Sequence, residues 1–368
     1  MRSAALGLCA LAASATLAAA QGPVYHMYVA AESADEIYHV AFDRRGARVE
    51  NVIPVGYMAT EIEGPHGLAV DPEGEHWYVT MAHGKPYGLV YQYSTATNEL
   101  LAETELGLFP ATMQISPETG LLYVVNFDLH GDMSPSSVSV VDTEEMIEVE
   151  RITTGPMPHG SRVGFDGSMH YSCAMMSGEL FEIDAFGLEV NRVLQLDPPA
   201  PEGGESEEGD GDEEPEHGHG GSKPTWVDPH PSGGRVYVAL NGAAQIVEVD
   251  LESWAITRRF DTAPGPYNVA VSPDGTKLVA TYKTAGAVGI WDLEQGVELA
   301  RIPSTRRVTH GVSISPDSRF AFVTNEGIGG EAGTVDVFDL RTQEMVSTVE
   351  VGLQAGGIAF WKMEQPTR

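Results

Sequence analysis

Apolar and polar residues alternate with a period of two in short segments along most of the chain, and turn residues separate these segments. The stretch GPHGLAVDPEGEHWYVT, from Gly64 to Thr80, is typical: an apolar segment, a turn at DPEGE, and a second apolar segment ending in WYVT. Such alternation predicts β-strands with a buried face, and no long stretch shows the period of an amphipathic helix. We therefore expect an all-β protein.

The strand pattern recurs at a period of roughly 45 residues, apart from one long insertion. In each repeat a Pro-Asp-Gly-like turn precedes a YVT-like strand, a third strand follows that ends in Asp, and a fourth short strand leads to the next repeat. The residues that open the YVT-like strands are Tyr78, Tyr123, Tyr171, Tyr237, Val279 and Phe322. Four-stranded antiparallel units at this period predict a β-propeller.

The two chain ends complete one further blade. The segment from Val24 supplies second and third strands with no first strand before them, and the segment from Gly356 supplies a first strand with nothing after it. Pairing of these ends would close the ring and remove its exposed edges. The sequence thus predicts a seven-bladed propeller, with residues 21–368 forming a single domain.

Three segments resemble the YVTN family of β-propellers: SPETGLLYVVN from Ser116, SPDGTKLVATY from Ser272 and SPDSRFAFVTN from Ser315. The resemblance covers nearly the whole chain after residue 20. It implies the propeller fold but no single activity, because the family and its structural relatives include binding proteins, lactonase-like enzymes, the haem domain of cytochrome-type nitrite reductases and the propeller of copper nitrous-oxide reductase.

Histidine occupies one repeat position three times. His66, His159 and His310 each lie twelve residues before a strand-opening residue, and glycine follows each of them. This position begins the first strand of a blade, which lines the central channel, so the three side chains are expected at one mouth of that channel. The loops after the second strands reach the same mouth and carry His83 and His130.

Five histidines at one rim suggest a transition-metal site. Imidazole with a nearby thioether or thiolate favours copper, and zinc is the next choice. The sequence hypothesis is therefore that His66, His83, His130, His159 and His310 bind a metal, with copper as the cofactor and zinc or no metal as alternatives. Histidines at a rim can also serve structure alone, by hydrogen bonding to a neighbouring blade.

Three functions remain open at this point. The first is a copper-dependent redox enzyme that acts on a small molecule at the mouth, with an electron-transfer protein as a partner. The second is a non-catalytic propeller that binds a ligand, a metal or a protein. The third is a lactonase-like hydrolase, for which the mouth offers polar residues. These are Asn126, Asp128, Asn241, Asn268, Asn325 and Glu326.

Composition narrows the partners and the location. The formal net charge of −32 argues against nucleic acid and anionic membrane surfaces as partners. Residues 1–20 have the pattern of a secretory signal peptide, which predicts a periplasmic or secreted protein with no membrane span. Only Cys173 remains after that segment, so no internal disulfide is expected. A Gly-, Pro- and acid-rich insertion at about 198–224 is expected to be disordered.

Overall fold

The expected seven-bladed β-propeller is present. The computed structural model describes residues 22–58, 60–83, 87–196 and 221–366, which form seven four-stranded antiparallel sheets. The predicted signal peptide and residues 198–220 of the predicted insertion lie outside these ranges. In the part of the chain that is described, no helix is long and apolar enough to cross a membrane.

The strands have the following bounds. The N-terminal part contains β1 (Val24–Ala31), a 3₁₀ turn (Glu32–Ala34), β2 (Glu36–Asp43) and β3 (Gly46–Pro54). The first complete blade contains β4 (Pro65–Val70), β5 (His76–Met81), β6 (Leu89–Ser94) and β7 (Leu100–Glu105). The second contains β8 (Pro110–Ile115), β9 (Leu121–Asn126), β10 (Ser137–Asp142) and β11 (Ile147–Thr153). The third contains β12 (Pro158–Val163), β13 (Met169–Ala174), β14 (Glu179–Asp184) and β15 (Glu189–Gln195).

The fourth complete blade contains β16 (Pro224–Pro229), β17 (Arg235–Leu240), β18 (Gln245–Asp250) and β19 (Ala255–Asp261). The fifth contains β20 (Pro266–Val271), β21 (Lys277–Tyr282), β22 (Ala287–Asp292) and β23 (Val297–Pro303), and the sixth contains β24 (Val308–Ile314), β25 (Phe320–Glu326), β26 (Ala332–Asp339) and β27 (Glu344–Leu353). The final strand is β28 (Ala355–Glu364).

The ring closes where the chain ends meet. Strand β28 pairs antiparallel with β1, and this sheet has the order β28-β1-β2-β3. The register runs from Val24 opposite Glu364 to Ala31 opposite Ala355. The last strand in sequence is therefore the innermost strand of the blade that both chain ends build, which we call the shared blade, and the pairing covers the edge of β1.

The innermost strands approach each other closely near one end of the channel. At the start of β4 the register with β5 shifts between Pro65 and Leu68. A Cβ atom on Gly67 would lie only 1.9 Å from the carbonyl oxygen of Ala111 in the next blade. Thr80 bridges the two blades, because its Oγ1 accepts a hydrogen bond from Gly67 N (2.7 Å) and donates one to that same carbonyl (3.0 Å).

The same arrangement recurs in other blades. A Cβ on Gly160 would lie 2.4 Å from Thr225 O, and one on Gly311 would lie 2.6 Å from Gly356 O. The hydroxyl of Thr324 accepts from Gly311 N and donates to Gly356 O. These glycines allow the close packing of adjacent blades, and each follows one of the three repeat histidines.

Removing β28 is expected to open the ring. Deletion of residues 355–368 would leave β1 with an unpaired edge, so we expect a lower melting temperature and self-association, measured by calorimetry and light scattering. Deletion of residues 365–368 alone is the control and should change neither. A monomeric 355–368 deletion with the melting temperature of the full chain would contradict closure by β28.

The Gly67→Ala substitution is expected to destabilise the protein by about 3 kcal/mol, because the added methyl group would overlap the backbone of the next blade. The free energy of unfolding in urea measures this. Gly330→Ala is the matched control, since a Cβ there meets nothing within 4 Å. Equal stability of the two variants would show that the blades can move apart at no cost.

Candidate functional site

The three repeat histidines meet at one end of the central channel, which we call the mouth. The ring centroids of His66 and His159 are 5.9 Å apart, those of His66 and His310 are 5.8 Å apart, and those of His159 and His310 are 6.5 Å apart. Each ring is almost completely buried. The glycine-containing irregularity at the start of each innermost strand places these side chains together.

A buried carboxylate holds two of the mouth histidines. Glu32 lies in the 3₁₀ turn between β1 and β2, and its side chain accepts hydrogen bonds from His66 Nδ1 and His83 Nε2, both at 2.8 Å. Burial by itself would raise the pKa of this carboxyl, but the charges and hydrogen bonds of the two histidines outweigh it and lower the pKa to about 2. Glu32 is therefore ionised at neutral pH.

The ionised carboxylate fixes the state of His83. Because a carboxylate only accepts hydrogen bonds, Nε2 of His83 carries a proton and donates it to Glu32. The hydrogen bond to Glu32 raises the pKa of His83 above its usual value. No hydrogen bond is made by His83 Nδ1 to any described residue, and the side chain is one-third exposed. Neutral His83 therefore has a basic nitrogen available at the mouth.

A second polar cluster lies on the opposite side of the mouth. The Tyr267 hydroxyl and His159 Nε2 are joined by a 2.8 Å hydrogen bond, and Lys283 Nζ lies 3.1 Å from Glu326 Oε1. Lys283 also lies over the Tyr267 ring at 4.4 Å. Burial lowers the pKa of His159 and of His310 well below the usual value, so both rings are neutral.

A cavity of about 810 Å³ opens at the mouth beside the first cluster. Phe109 lies between this cavity and the central histidines, with ring centroids 5.6 Å from His66 and 5.0 Å from His83. The cavity is lined by Glu32, Ser33, Glu61, Ile62, Ala82, His83, Leu108, Phe109, Asp128, Leu129, His130 and Gln354. His83 thus joins the buried carboxylate to a space that can hold a small molecule.

All five predicted histidines lie around the mouth, but hydrogen bonds already occupy several of their nitrogens. Glu32 takes one nitrogen each of His66 and His83, Tyr267 takes one of His159, and His130 lies apart on the cavity wall. Within the described ranges, no group of three or more histidine, cysteine, aspartate or glutamate side chains is arranged to hold a metal ion. Metal ligation by the five histidines and a copper or zinc cofactor stay predictions.

Two of the other polar residues of the expected mouth, Asn126 and Asn325, serve the fold. Asn126 is buried, accepts a hydrogen bond from Gly107 N (3.0 Å) and donates to Ser139 Oγ (2.8 Å). Asn325 donates to Asp336 Oδ2 (2.9 Å) at the corresponding place in the sixth complete blade. Cys173 is fully buried among apolar side chains, and burial raises the pKa of its thiol.

Sequence reasoning missed Glu32 and Gln354. Glu32 follows the second strand of the shared blade, which is the loop position that carries His83 and His130 in the next two blades. That equivalence was available from the repeat. Gln354 gave no such signal, because its place beside Glu32 depends on closure of the ring: Glu32 N donates to Gln354 O at 3.1 Å.

Solved structures with this fold include enzymes of different chemistry. The periplasmic gluconolactonase of Pseudomonas aeruginosa is 17% identical, with 92% of this chain and 99% of that one covered at a TM-score of 0.70. A putative 6-phosphogluconolactonase from Bacteroides fragilis is 14% identical, with 92% and 98% covered at 0.69. Hydrazine synthase of Kuenenia stuttgartiensis is 16% identical, with 88% and 94% covered at 0.60.

No protein-family model matches the sequence, and no curated protein matches it significantly. At these levels of identity the solved structures show the fold alone. Membership of the YVTN family therefore stays a prediction.

The expectation of a copper redox enzyme is wrong. Gluconolactonases are among the most similar structures, and the described residues include no metal-holding group. Glu32 or Tyr267 engages one nitrogen each of His66, His83 and His159, and the remaining nitrogens do not form a group of three ligands among the described residues. The expected electron-transfer partner loses its basis with the redox function.

The Glu32→Gln substitution is expected to destabilise the protein by about 3 kcal/mol at pH 6, because the buried His66 and the partly exposed His83 lose an ionised acceptor. Since the pKa of Glu32 is lowered to about 2, its contribution is fully present above the ordinary value near 4.5 and is lost as the pH falls towards 2. Urea unfolding should therefore show a smaller difference between variant and wild type at pH 3 than at pH 6.

Glu61→Gln is the control, because Glu61 lines the same cavity but is exposed. It should leave stability unchanged at both pH values. A Glu32→Gln effect that is the same at pH 3 and pH 6 would show that the charge of Glu32 does not hold the mouth together.

Proposed function

We propose that the protein is a lactonase-like hydrolase that opens a small lactone in the mouth cavity. The observation that carries this proposal is the pair formed by Glu32 and His83: a buried, ionised carboxylate holds a histidine at the wall of a cavity large enough for a sugar-sized lactone. The gluconolactonases with the same fold support the reaction class by analogy.

His83 is the general base in this proposal. Glu32 accepts from Nε2, which leaves Nδ1 with its lone pair, and the negative charge stabilises the imidazolium that forms when Nδ1 takes a proton. His66 binds the other oxygen of Glu32 at 2.8 Å and keeps the carboxylate in place. Glu32 and His66 act as positioning residues, and His83 contacts the reacting water.

Gln354 supplies a hydrogen-bond donor for the lactone carbonyl. Ser33 Oγ donates to Gln354 Oε1 at 2.5 Å, which orients the amide. Its Nε2 group makes no hydrogen bond to the described residues, and Gln354 lines the same cavity as His83. A donor beside the general base can stabilise the negative charge that develops on a carbonyl oxygen under attack.

The reaction balances with water as the only co-reactant. A water oxygen forms a bond to the lactone carbonyl carbon while one water proton passes to His83 Nδ1. The tetrahedral intermediate, with its oxyanion near Gln354 Nε2, then breaks the bond between the carbonyl carbon and the ring oxygen. His83 returns the proton to that oxygen, and the product is an open-chain hydroxy acid.

Substitution of the base tests the proposal. His83→Gln is expected to lower kcat for hydrolysis of glucono-1,5-lactone by about 100-fold, the typical contribution of general-base catalysis. His76→Gln is the matched control, because His76 opens β5 at the opposite end of the blade and its Nδ1 bonds Asp71 (2.8 Å). Loss of stability must be excluded by thermal unfolding. Full activity in His83→Gln would refute the assignment.

The pH profile gives a second test. Because the hydrogen bond to Glu32 raises the pKa of His83 above 6.5 and only the neutral ring can act as a base, kcat/KM should rise with pH through that higher value. Glu32→Gln removes the charge, so the acid limb should move to lower pH. An acid limb that stays in place in the Glu32→Gln variant would show that another group is the base.

A further inference from the structure

The mouth cavity is acidic. Three of its lining residues are carboxylates, namely Glu32, Glu61 and Asp128, and the described lining residues include no lysine or arginine. On the far side of the mouth Lys283 is paired with Glu326. The sequence as a whole carries a formal charge of −32. A ligand with a phosphate group would meet repulsion from these carboxylates, and the described residues of the cavity wall offer it no lysine or arginine.

Asp128 is a partly buried carboxylate of the cavity wall that can contact a ligand. It lies just after β9 with a left-handed backbone (φ 51°), and its carbonyl oxygen accepts from Gly131 N at 2.9 Å. A Cβ on Gly131 would lie 2.3 Å from Asp128 Oδ2, so glycine there leaves room for the carboxylate. Its side-chain oxygens have no hydrogen-bond partner among the described residues, unlike those of Glu32.

The surroundings of Asp128 do little to compensate its charge. Partial burial and the nearby Asp132 raise the pKa of the Asp128 carboxyl, while His130 acts in the opposite direction. A hydroxyl group that donates to this carboxylate would form a charge-assisted hydrogen bond, which is stronger than one between neutral groups. A hydroxylated ligand in the cavity would supply such a donor.

We infer that the substrate is a polyhydroxylated lactone without a phosphate or carboxylate group, and that Asp128 selects it by accepting hydrogen bonds from its hydroxyl groups. This inference rests on the hydrolase function proposed above and narrows its substrate. The similar structures carry names that refer to both phosphorylated and unphosphorylated lactones. The fold is compatible with both kinds of lactone, whereas the negative charge of this cavity favours the unphosphorylated kind.

The test compares glucono-1,5-lactone with its 6-phosphate. For the wild type we expect kcat/KM to be at least about tenfold higher for the unphosphorylated lactone, with the preference growing at low ionic strength. Asp128→Asn should raise KM for the unphosphorylated lactone about tenfold with little change in kcat, because one charge-assisted hydrogen bond is lost. The ratio of kcat/KM between the unphosphorylated and the phosphorylated lactone should therefore fall.

Asp132→Asn is the matched control. Asp132 lies in the same loop, is exposed and does not line the cavity, so its substitution removes the same charge without touching the ligand. It should leave kcat and KM for both lactones unchanged. An equal or better reaction with the phosphorylated lactone would overturn the inference, and so would an Asp132→Asn effect as large as that of Asp128→Asn.

Binding separates this inference from the proposed reaction. Glucono-1,5-lactam and its 6-phosphate resist hydrolysis, and calorimetry with the wild-type protein measures their affinities directly. Preferential binding of the unphosphorylated lactam, together with no turnover of either lactone, would uphold the substrate class and reject the hydrolase. Turnover of a lactone together with preferential binding of the phosphorylated lactam would uphold the hydrolase and reject the substrate class. Binding of neither lactam would also overturn the substrate class.

Discussion

The site depends on how closely the innermost strands of neighbouring blades approach one another. Glycine is required where a side chain would overlap the next blade, as at Gly67, and a threonine hydroxyl bridges the two backbones there. The strand irregularity at that point places His66 at the mouth. His159 and His310 precede glycines in the same setting. The packing that closes the ring therefore also determines where the imidazoles lie.

One carboxylate then organises the charges at the mouth. Glu32 belongs to the shared blade, whereas His66 and His83 belong to the first complete blade. Their hydrogen bonds therefore connect these two adjacent blades. Burial of an ionised group is costly unless it is paired, and two donors at 2.8 Å provide that pairing. The same contact that stabilises Glu32 leaves the other nitrogen of His83 available for chemistry.

The choice between copper and hydrolytic chemistry depends on how the ring nitrogens of the mouth histidines are arranged. Three histidines at one repeat position are compatible with either, since imidazole serves as a metal ligand and as a base. The hydrogen bonds to Glu32 do not distinguish the two, because a histidine that donates one ring N–H to a carboxylate keeps its other nitrogen for a metal or a proton. The difference is that the described residues include no group of three ligands arranged around one point. The solved gluconolactonases share the fold, and the carboxylates of the mouth cavity support the substrate class proposed above.

Much of the fold was determined by sequence alone. The alternating pattern, the turns before Tyr78 and its equivalents, and the unpaired strand segments at the two ends were sufficient for seven blades and for closure, because these are local or repeated features. Repeat position also placed His66, His159 and His310 at one rim. The signal peptide and the acidic insertion remain predictions, since they lie outside the described residues.

The partners of the mouth residues were decided only by tertiary structure. Glu32 and Gln354 lie far apart in sequence and become neighbours when β28 pairs with β1. The hydrogen bonds to Glu32 depend on distances of a few ångströms between different blades. So does the absence of a partner, among the described residues, for His83 Nδ1 and the Asp128 carboxylate. A repeat pattern specifies which end of the channel a residue occupies, but side-chain pairing across blades follows from packing, which no single repeat contains.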